Sequence, residues 1–158
     1  RSMVSSLTVT FDQAINHFNA GAFVLTNRRT GHTPVVTATQ ATFGDGKVWV
    51  LTFSDPSMSG GSLEDGVYDL QIVAANVFDA FGQNLAGGDQ TFTFHRLFGD
   101  VNGDKSVDAL DYNYFRRAMG TSIGATGFNA AFDSNNDGVI DALDYNAFRR
   151  HMGTVYTY

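Results

Sequence analysis

A twelve-residue segment, DVNGDKSVDALD from Asp100, recurs 33 residues further on as DSNNDGVIDALD from Asp133. Both copies place an oxygen-bearing side chain at positions 1, 3, 5, 9 and 12. These are Asp100, Asn102, Asp104, Asp108 and Asp111 in the first copy, and Asp133, Asn135, Asp137, Asp141 and Asp144 in the second. Left to themselves, so many carboxylates in so short a loop repel one another and oppose folding. A hard cation removes the conflict. Calcium takes six to eight oxygens in irregular geometry, and a chain winding around it must offer oxygens at alternate positions. The repeat therefore predicts two calcium ions and a C-terminal segment that is ordered with calcium and poorly ordered without it.

The spacing is that of an EF-hand loop. Position 7 adds a backbone carbonyl, from Ser106 and Val139. Position 12 is usually Glu; Asp111 and Asp144 are one methylene shorter, so the helix that follows must sit closer to the ion. Gly138 stands at position 6 of the second loop, where the backbone turns sharply, and Lys105 takes that place in the first, which predicts a more strained first loop. Val107 and Ile140, at position 8, are expected to pair as a short strand contact between the loops. Neither loop contains Cys or His, which argues against zinc. Magnesium alone prefers fewer protein ligands and a stricter octahedron.

The repeat continues beyond the loops. Asp111-Tyr112-Asn113 recurs as Asp144-Tyr145-Asn146, Phe115-Arg116-Arg117 as Phe148-Arg149-Arg150, and Met119-Gly120-Thr121 as Met152-Gly153-Thr154. Each loop thus leads into one helix of about ten residues ended by a Gly. No amphipathic helix precedes either loop: TFTFHRLFG alternates like a strand, and IGATGFNAAF is too short and Gly-rich. A duplicated calcium loop with only an exiting helix resembles a type I dockerin, over Phe98 to about Thr154. The resemblance implies a cohesin-like protein partner. It also implies a contact face on positions 10, 11, 17 and 18, here Ala109, Leu110, Arg116, Arg117, Ala142, Leu143, Arg149 and Arg150. Many family members carry a Ser-Thr-like pair at 10 and 11; the Ala-Leu pair here implies a more apolar contact. The two faces are identical residue for residue, which predicts two interchangeable binding modes related by a 180° rotation. The alternative for the four Arg is a solvated helix face balancing the acidic loops. Phe115 and Phe148 read as core, whereas Leu110, Leu143, Tyr112 and Tyr145 fit either role.

The first hundred residues follow period 2. Candidate strands are Ser6–Asp12, Ala22–Asn27, Pro34–Phe43, Lys47–Ser54, Gly66–Val73 and Gln90–His95, separated by Gly-containing turns. Six or seven strands without a helical stretch predict an antiparallel β-sandwich. The stretch Ala75–Leu85 resembles the penultimate-strand signature of bacterial Ig-like domains, with an Asp, a Gly-Asn-like turn and then a Leu. The expected fold is therefore two domains: an all-β Ig-like antiparallel sandwich, residues 1–97, and a small α dockerin with two EF-hand-like loop–helix repeats, residues 98–158. His95–Gly99 is too short a linker for free tumbling, and apolar Leu97 and Phe98 are expected to pack at the junction, giving a fairly rigid rod. The tail Val155–Tyr158 is expected to close the dockerin or dock on the sandwich.

No catalytic site is legible. His17, His32, His95 and His151 stand alone, Glu64-Asp65 reads as a solvated turn, and Ser57, Ser59 and Ser62 lie in a mobile-looking loop outside any GxSxG context. Trp49, the single Trp, reads as sandwich core rather than as a sugar-stacking platform. Each of the two predicted domains carries eight acids against five bases, and two calcium ions would take the second from −3 to +1. A net charge of −6 without a basic stripe argues against nucleic acid. No apolar run approaches a membrane span, and no signal peptide is visible. The chain opens on Arg-Ser-Met and is expected to be an excised part of a longer protein, monomeric as a fragment. Cysteine is absent, so disulfides are excluded. Low-charge calcium loops suit the millimolar calcium outside cells, which places the chain in a secreted or surface protein. The expected function is a non-enzymatic, calcium-dependent anchoring module with the sandwich as rigid spacer. Two alternatives stand beside it: a calcium-stabilised structural cap that binds no cohesin, and a carbohydrate-binding sandwich attached to an upstream glycoside hydrolase.

Overall fold

The computed structural model describes residues 1–158. Eight strands and two α-helices follow in the order β1 Ser6–Thr10, β2 His17–Phe18, β3 Phe23–Asn27, β4 Val35–Gln40, β5 Val48–Ser54, β6 Gly66–Ile72, β7 Val77–Phe78, β8 Gln90–Arg96, α1 Ala109–Ala118 and α2 Ala142–His151. The strands form two open three-stranded sheets, β1-β5-β4 and β3-β6-β8, and a two-stranded one, β2-β7. All six strands expected from the alternating pattern are present. The two that periodicity missed, β2 and β7, are two residues each, too short to show a period.

The chain divides into two compact units. One is Ser5–Asp55 with Tyr68–Phe94; the other is Arg1–Val4, Pro56–Val67 and His95–Tyr158.

In the β-rich unit the registers are antiparallel, with Val9 opposite Trp49 in β1–β5, Gln40 opposite Trp49 in β4–β5, and Leu25 opposite Leu70 in β3–β6. Period 2 sends alternate side chains to one face. Trp49, Ile72, Phe11, Ile15, Ala22 and Val77 meet in one apolar core to which both three-stranded sheets contribute. Trp49 is only 8 % exposed, and its indole N–H donates to the Gly46 carbonyl at 2.9 Å. It is a core residue, satisfied at its one polar atom. The Ala75–Leu85 turn forms around Asp79, whose Oδ1 accepts from the amides of Phe81 and Gln83, both at 2.8 Å. Gly82 takes a left-handed φ of 75° there, and the Leu85 amide closes onto the Val77 carbonyl.

The second unit holds the duplicated loops and their helices, together with two segments from outside the repeat. Its core is Leu97, Phe98, Val107, Phe115, Ala118, Phe132, Ile140, Ala147 and Phe148, with Met3, Val101, Phe128 and Tyr156 packed against it. Stacked Phe115 and Phe148, at 4.9 Å between centroids, come from equivalent positions of the two repeats. Leu97 and Phe98 are buried in this core, which accounts for two apolar residues in a linker. The loop expected to be mobile is tied down. Ser62 is fully buried, its hydroxyl accepts from the Val4 amide at 2.9 Å, and Ser59 bridges Ser62. No helix is long and apolar enough to cross a membrane.

Candidate functional site: two calcium-type loops and one exposed helix face

Each loop is organised by its own first residue. Asp100 Oδ1 accepts from the amides of Gly103 and Asp104 at 2.7 and 3.1 Å, and its Oδ2 accepts from that of Lys105 at 3.0 Å. Asp133 does the same with Asp137 at 3.1 Å and Gly138 at 2.9 Å. Position 5 then accepts from position 7: Ser106 N–H to Asp104 and Val139 N–H to Asp137, both at 2.9 Å. These bonds hold Asp104 below the usual carboxylate range, the Ser106 amide contributing most.

Positions 9 and 12 do double duty. Asp108 and Asp141 are the N-caps of α1 and α2, and each forms a capping box with the residue three further on, Asp111 or Asp144. Asp111 also reaches back to the Val101 amide at 3.0 Å, and Asp144 to that of Ser134 at 2.7 Å. Loop and helix start are therefore one hydrogen-bonded body. Burial pushes the Asp111 carboxyl up.

The left-handed turns fall at positions 4 and 6 of both loops. Lys105 has φ 77° and Gly138 φ 83°, and one turn earlier Gly103 has φ 80° and Asn136 φ 58°. Each loop thus has one Gly and one non-Gly residue in this region. Asn tolerates it far better than Lys, which places the greater strain in the first loop. Lys105 is also held from outside, its Nζ lying 4.1 Å from the Tyr158 ring centroid. Tyr158 Oη in turn lies 2.8 Å from His95 Nδ1, and His95 Nε2 lies 2.6 Å from Asp100 Oδ2. Burial lowers the His95 pKa despite that carboxylate.

Val107 and Ile140 do not pair with each other; each loop is closed by the chain that leaves the other repeat's helix. Val107 exchanges backbone bonds with Thr154 and Gly153, and Ile140 with Thr121 and Gly120. Position 7 bridges follow suit, Ser106 with Val155 and Val139 with Ser122. The reason lies at the helix ends. Gly120 and Gly153, at φ 81° and 84°, turn the chain out of each helix and lay it along the partner loop. Val107 and Ile140 meet only through the shared core. The tail takes part in this closure, with the Tyr156 amide donating to the Lys105 carbonyl at 2.8 Å.

All twelve predicted ligand positions lie in these loops, but no three Asp, Glu or His side chains gather into a ready metal-holding group. The donor set still fits a hard cation. Every donor in it is an oxygen, from a side chain or, at Ser106 and Val139, from the backbone carbonyl, and Asp111, Asp133 and Asp144 are 0, 4 and 0 % exposed with no cationic side chain paired to them. Buried carboxylates are normally paired or coordinate a metal. These residues would hold calcium, which would supply the missing positive charge.

The predicted partner face is exposed in full. Ala109, Leu110, Arg116, Arg117, Ala142, Leu143, Arg149 and Arg150 all face solvent, Leu110 and Leu143 at 58 and 60 %. None of the four guanidinium groups makes an ion pair. Between the helices lie Tyr112 and Tyr145, each against the other repeat's Phe. Two shallow depressions of about 230 and 200 Å³ flank them, one lined by Phe148, Arg149 and Met152, the other by Phe115, Arg116 and Met119. The sequence left the tyrosines undecided; their half-exposed rings belong to both the core and the face.

Several side chains escaped sequence reasoning. Asp65 is no solvated turn residue, and neither His95 nor His151 is alone. Asp65 lies 2.6 Å from both Arg96 Nη1 and His151 Nε2 and accepts from the Phe98 amide at 2.7 Å. Burial alone would raise the Asp65 pKa, but the His151 hydrogen bond and the Arg96 charge hold it below the usual range.

Residues 98–153 match the family model described as Dockerin type I domain, so this segment, less than half of the chain, carries that family's repeat. No curated protein matches the chain. Among solved structures, surface layer protein SbsC, domains 1–6, is similar over 60 % of this chain and 12 % of that one, at 16 % identity and a TM-score of 0.43. The chain therefore spans about an eighth of that protein's resolved length. Two mutant type II Cohesin-X-Dockerin complexes from Acetivibrio cellulolyticus match over 96 % of this chain and 97 % of theirs. Both are 14 % identical, with TM-scores of 0.34 and 0.36.

Proposed function

We propose that this chain is a calcium-dependent protein–protein anchoring module of a secreted or surface protein. Residues 98–158 bind a cohesin-like domain, and residues 1–97 form an Ig-like sandwich that serves as spacer. Two calcium ions, held by Asp100, Asn102, Asp104, Ser106, Asp108 and Asp111 and by Asp133, Asn135, Asp137, Val139, Asp141 and Asp144, fix the two helix starts. The observation that carries the reading is the duplicated face: the same Leu, Tyr, Arg and Met positions stand exposed on both helices, unpaired in charge, in a chain that is otherwise acidic. A partner with an apolar centre and an acidic rim complements it. The chain does no chemistry in this reading.

One observation favours the cap reading as runner-up: Ala-Leu replaces the polar pair usual at the contact, which leaves fewer hydrogen bonds to specify a partner. The glycan reading has lost its residue, since Trp49 lies in the core. Calorimetry against a panel of cohesin domains, with calcium and with chelator, separates the first two. Binding with calcium alone supports the anchoring module; two bound calcium ions with no cohesin captured supports the cap.

A further inference from the structure

Asp65 sits in the Pro56–Val67 segment, outside the dockerin repeat, yet three parts of its compact unit converge on it. Its Oδ1 receives Arg96 Nη1, from the end of β8, and the Phe98 amide, two residues before the first loop. Its Oδ2 faces His151 Nε2, from the last turn of α2. The Phe98 ring packs against both side-chain partners, its centroid 5.6 Å from the His151 ring and 5.6 Å from the Arg96 guanidinium carbon.

The ring nitrogens of His151 decide its state. Nδ1 lies 2.7 Å from the Ala147 carbonyl and Nε2 lies 2.6 Å from the Asp65 carboxylate. Both neighbours are acceptors only. Neutral imidazole has one N–H, so one of these contacts would set a lone pair against an oxygen; imidazolium satisfies both. The charged group that bears on the pair from another element is Arg96 of β8, 2.6 Å from Asp65; Glu64 precedes Asp65 in the chain, and exposed Arg149 and Arg150 precede His151 on α2.

We propose that Asp65 is a positioning residue, a latch that fastens the Pro56–Val67 segment to α2 and to the entry of the first loop, and that loss of the His151 proton loosens its α2 end, where one of the two ring contacts must then be given up. Arg150, in the candidate partner face, immediately precedes His151, so the latch sets the order of the turn that carries the face. The inference stands whatever the face binds, and its test needs no partner.

The Asp65 hydrogen bond raises the His151 pKa above the ordinary 6.5, against the opposing effect of burial. A raised folded value gives stability that is complete below about 6.5 and is lost as pH climbs through the folded value. Asp65, held low, gives stability that is lost only as pH falls below the ordinary 3.8.

The test uses the full chain in saturating calcium. The His151 ring proton is titrated by NMR, and amide exchange in α2 is followed between about pH 6 and pH 9. The expected midpoint lies above 6.5 in the parent and falls back toward it in Asp65→Asn. Exchange in the last turn of α2 should speed up on raising the pH beyond its chemical base catalysis in the parent, and show no such excess in His151→Gln. His151→Gln keeps a neutral donor toward Asp65 and guards against misfolding of the Asp65 variant. An unshifted His151 midpoint in the parent, or an α2 pH profile in His151→Gln parallel to the parent's, overturns the proposal.

Discussion

Gly99 stands one residue before the first loop and is the sharpest place to perturb it. Its φ is +97°, and a Cβ built there would lie 2.9 Å from Val107 Cγ1 and 3.1 and 3.2 Å from two ring carbons of Phe148. Both neighbours belong to the core shared by the repeats. Gly99→Ala therefore meets two costs, about 1–2 kcal/mol for a left-handed Ala and about 1–3 kcal/mol for forcing a methyl into a packed core. It recovers about 0.4–1 kcal/mol of unfolded-chain entropy. The expected net loss is about 2–4 kcal/mol. Gly120→Ala is the internal control: φ is +81° and a Cβ there meets nothing within 4 Å. Only the backbone cost and the entropy gain remain, about 1 kcal/mol. Urea unfolding in saturating calcium measures both. Equal losses for the two variants would refute the packing argument, and Phe148→Leu should narrow the gap in part by removing the ring contacts while the Val107 contact stays.

Other outcomes follow from the same geometry. Lys105→Gly relieves the left-handed strain but gives up chain entropy and the Tyr158 contact, so stability should change by less than about 1 kcal/mol; in a Tyr158→Leu background the same change should be stabilising by denaturant midpoint. Asp111→Asn should reduce the calcium stoichiometry seen by calorimetry from two ions to one and leave the second loop filled. If the two faces are interchangeable, Leu143→Asp with Arg149→Glu should weaken cohesin binding only about twofold, or ~0.4 kcal/mol, whereas the same changes in both repeats should abolish it. Asp69 is held below its ordinary 3.8 by Arg28 at 2.6 Å and by Thr93, so its contribution to stability should be present above that value and fade as pH falls below it; the acid limb of a thermal-melting profile in Asp69→Asn should be shallower than the parent's.

The local parts of this architecture were readable because local rules fix them. Alternation located β1, β3, β4, β5, β6 and β8, and the Gly after each repeat located the ends of α1 and α2 within a residue or two. The capping boxes were already in the spacing, since calcium positions 9 and 12 are also N-cap and N3. Position 4 was equally legible in hindsight, Gly103 and Asn136 being residues that accept a left-handed φ. What sequence did not disclose is non-local. The pairing of Val107 with Thr154, and of Ile140 with Thr121, depends on which chain a Gly-terminated helix turns toward, and neither residue carries that information alone. Asp65, Ser62 and His151 looked like solvated or isolated side chains because their partners lie 31 to 86 residues away. The grouping of Arg1–Val4 and Pro56–Val67 with the loop–helix repeats follows from such contacts and has no local signal.

The central claim is that the two loops, in which Asp111, Asp133 and Asp144 are buried without a cationic side-chain partner, are calcium sites on which the helices depend. Calcium titration calorimetry of the full chain, with circular dichroism before and after chelation, tests it most directly. The account predicts two ions bound, with helical signal lost on chelation and restored on readdition. No calcium binding, or helices indifferent to chelator, would contradict it.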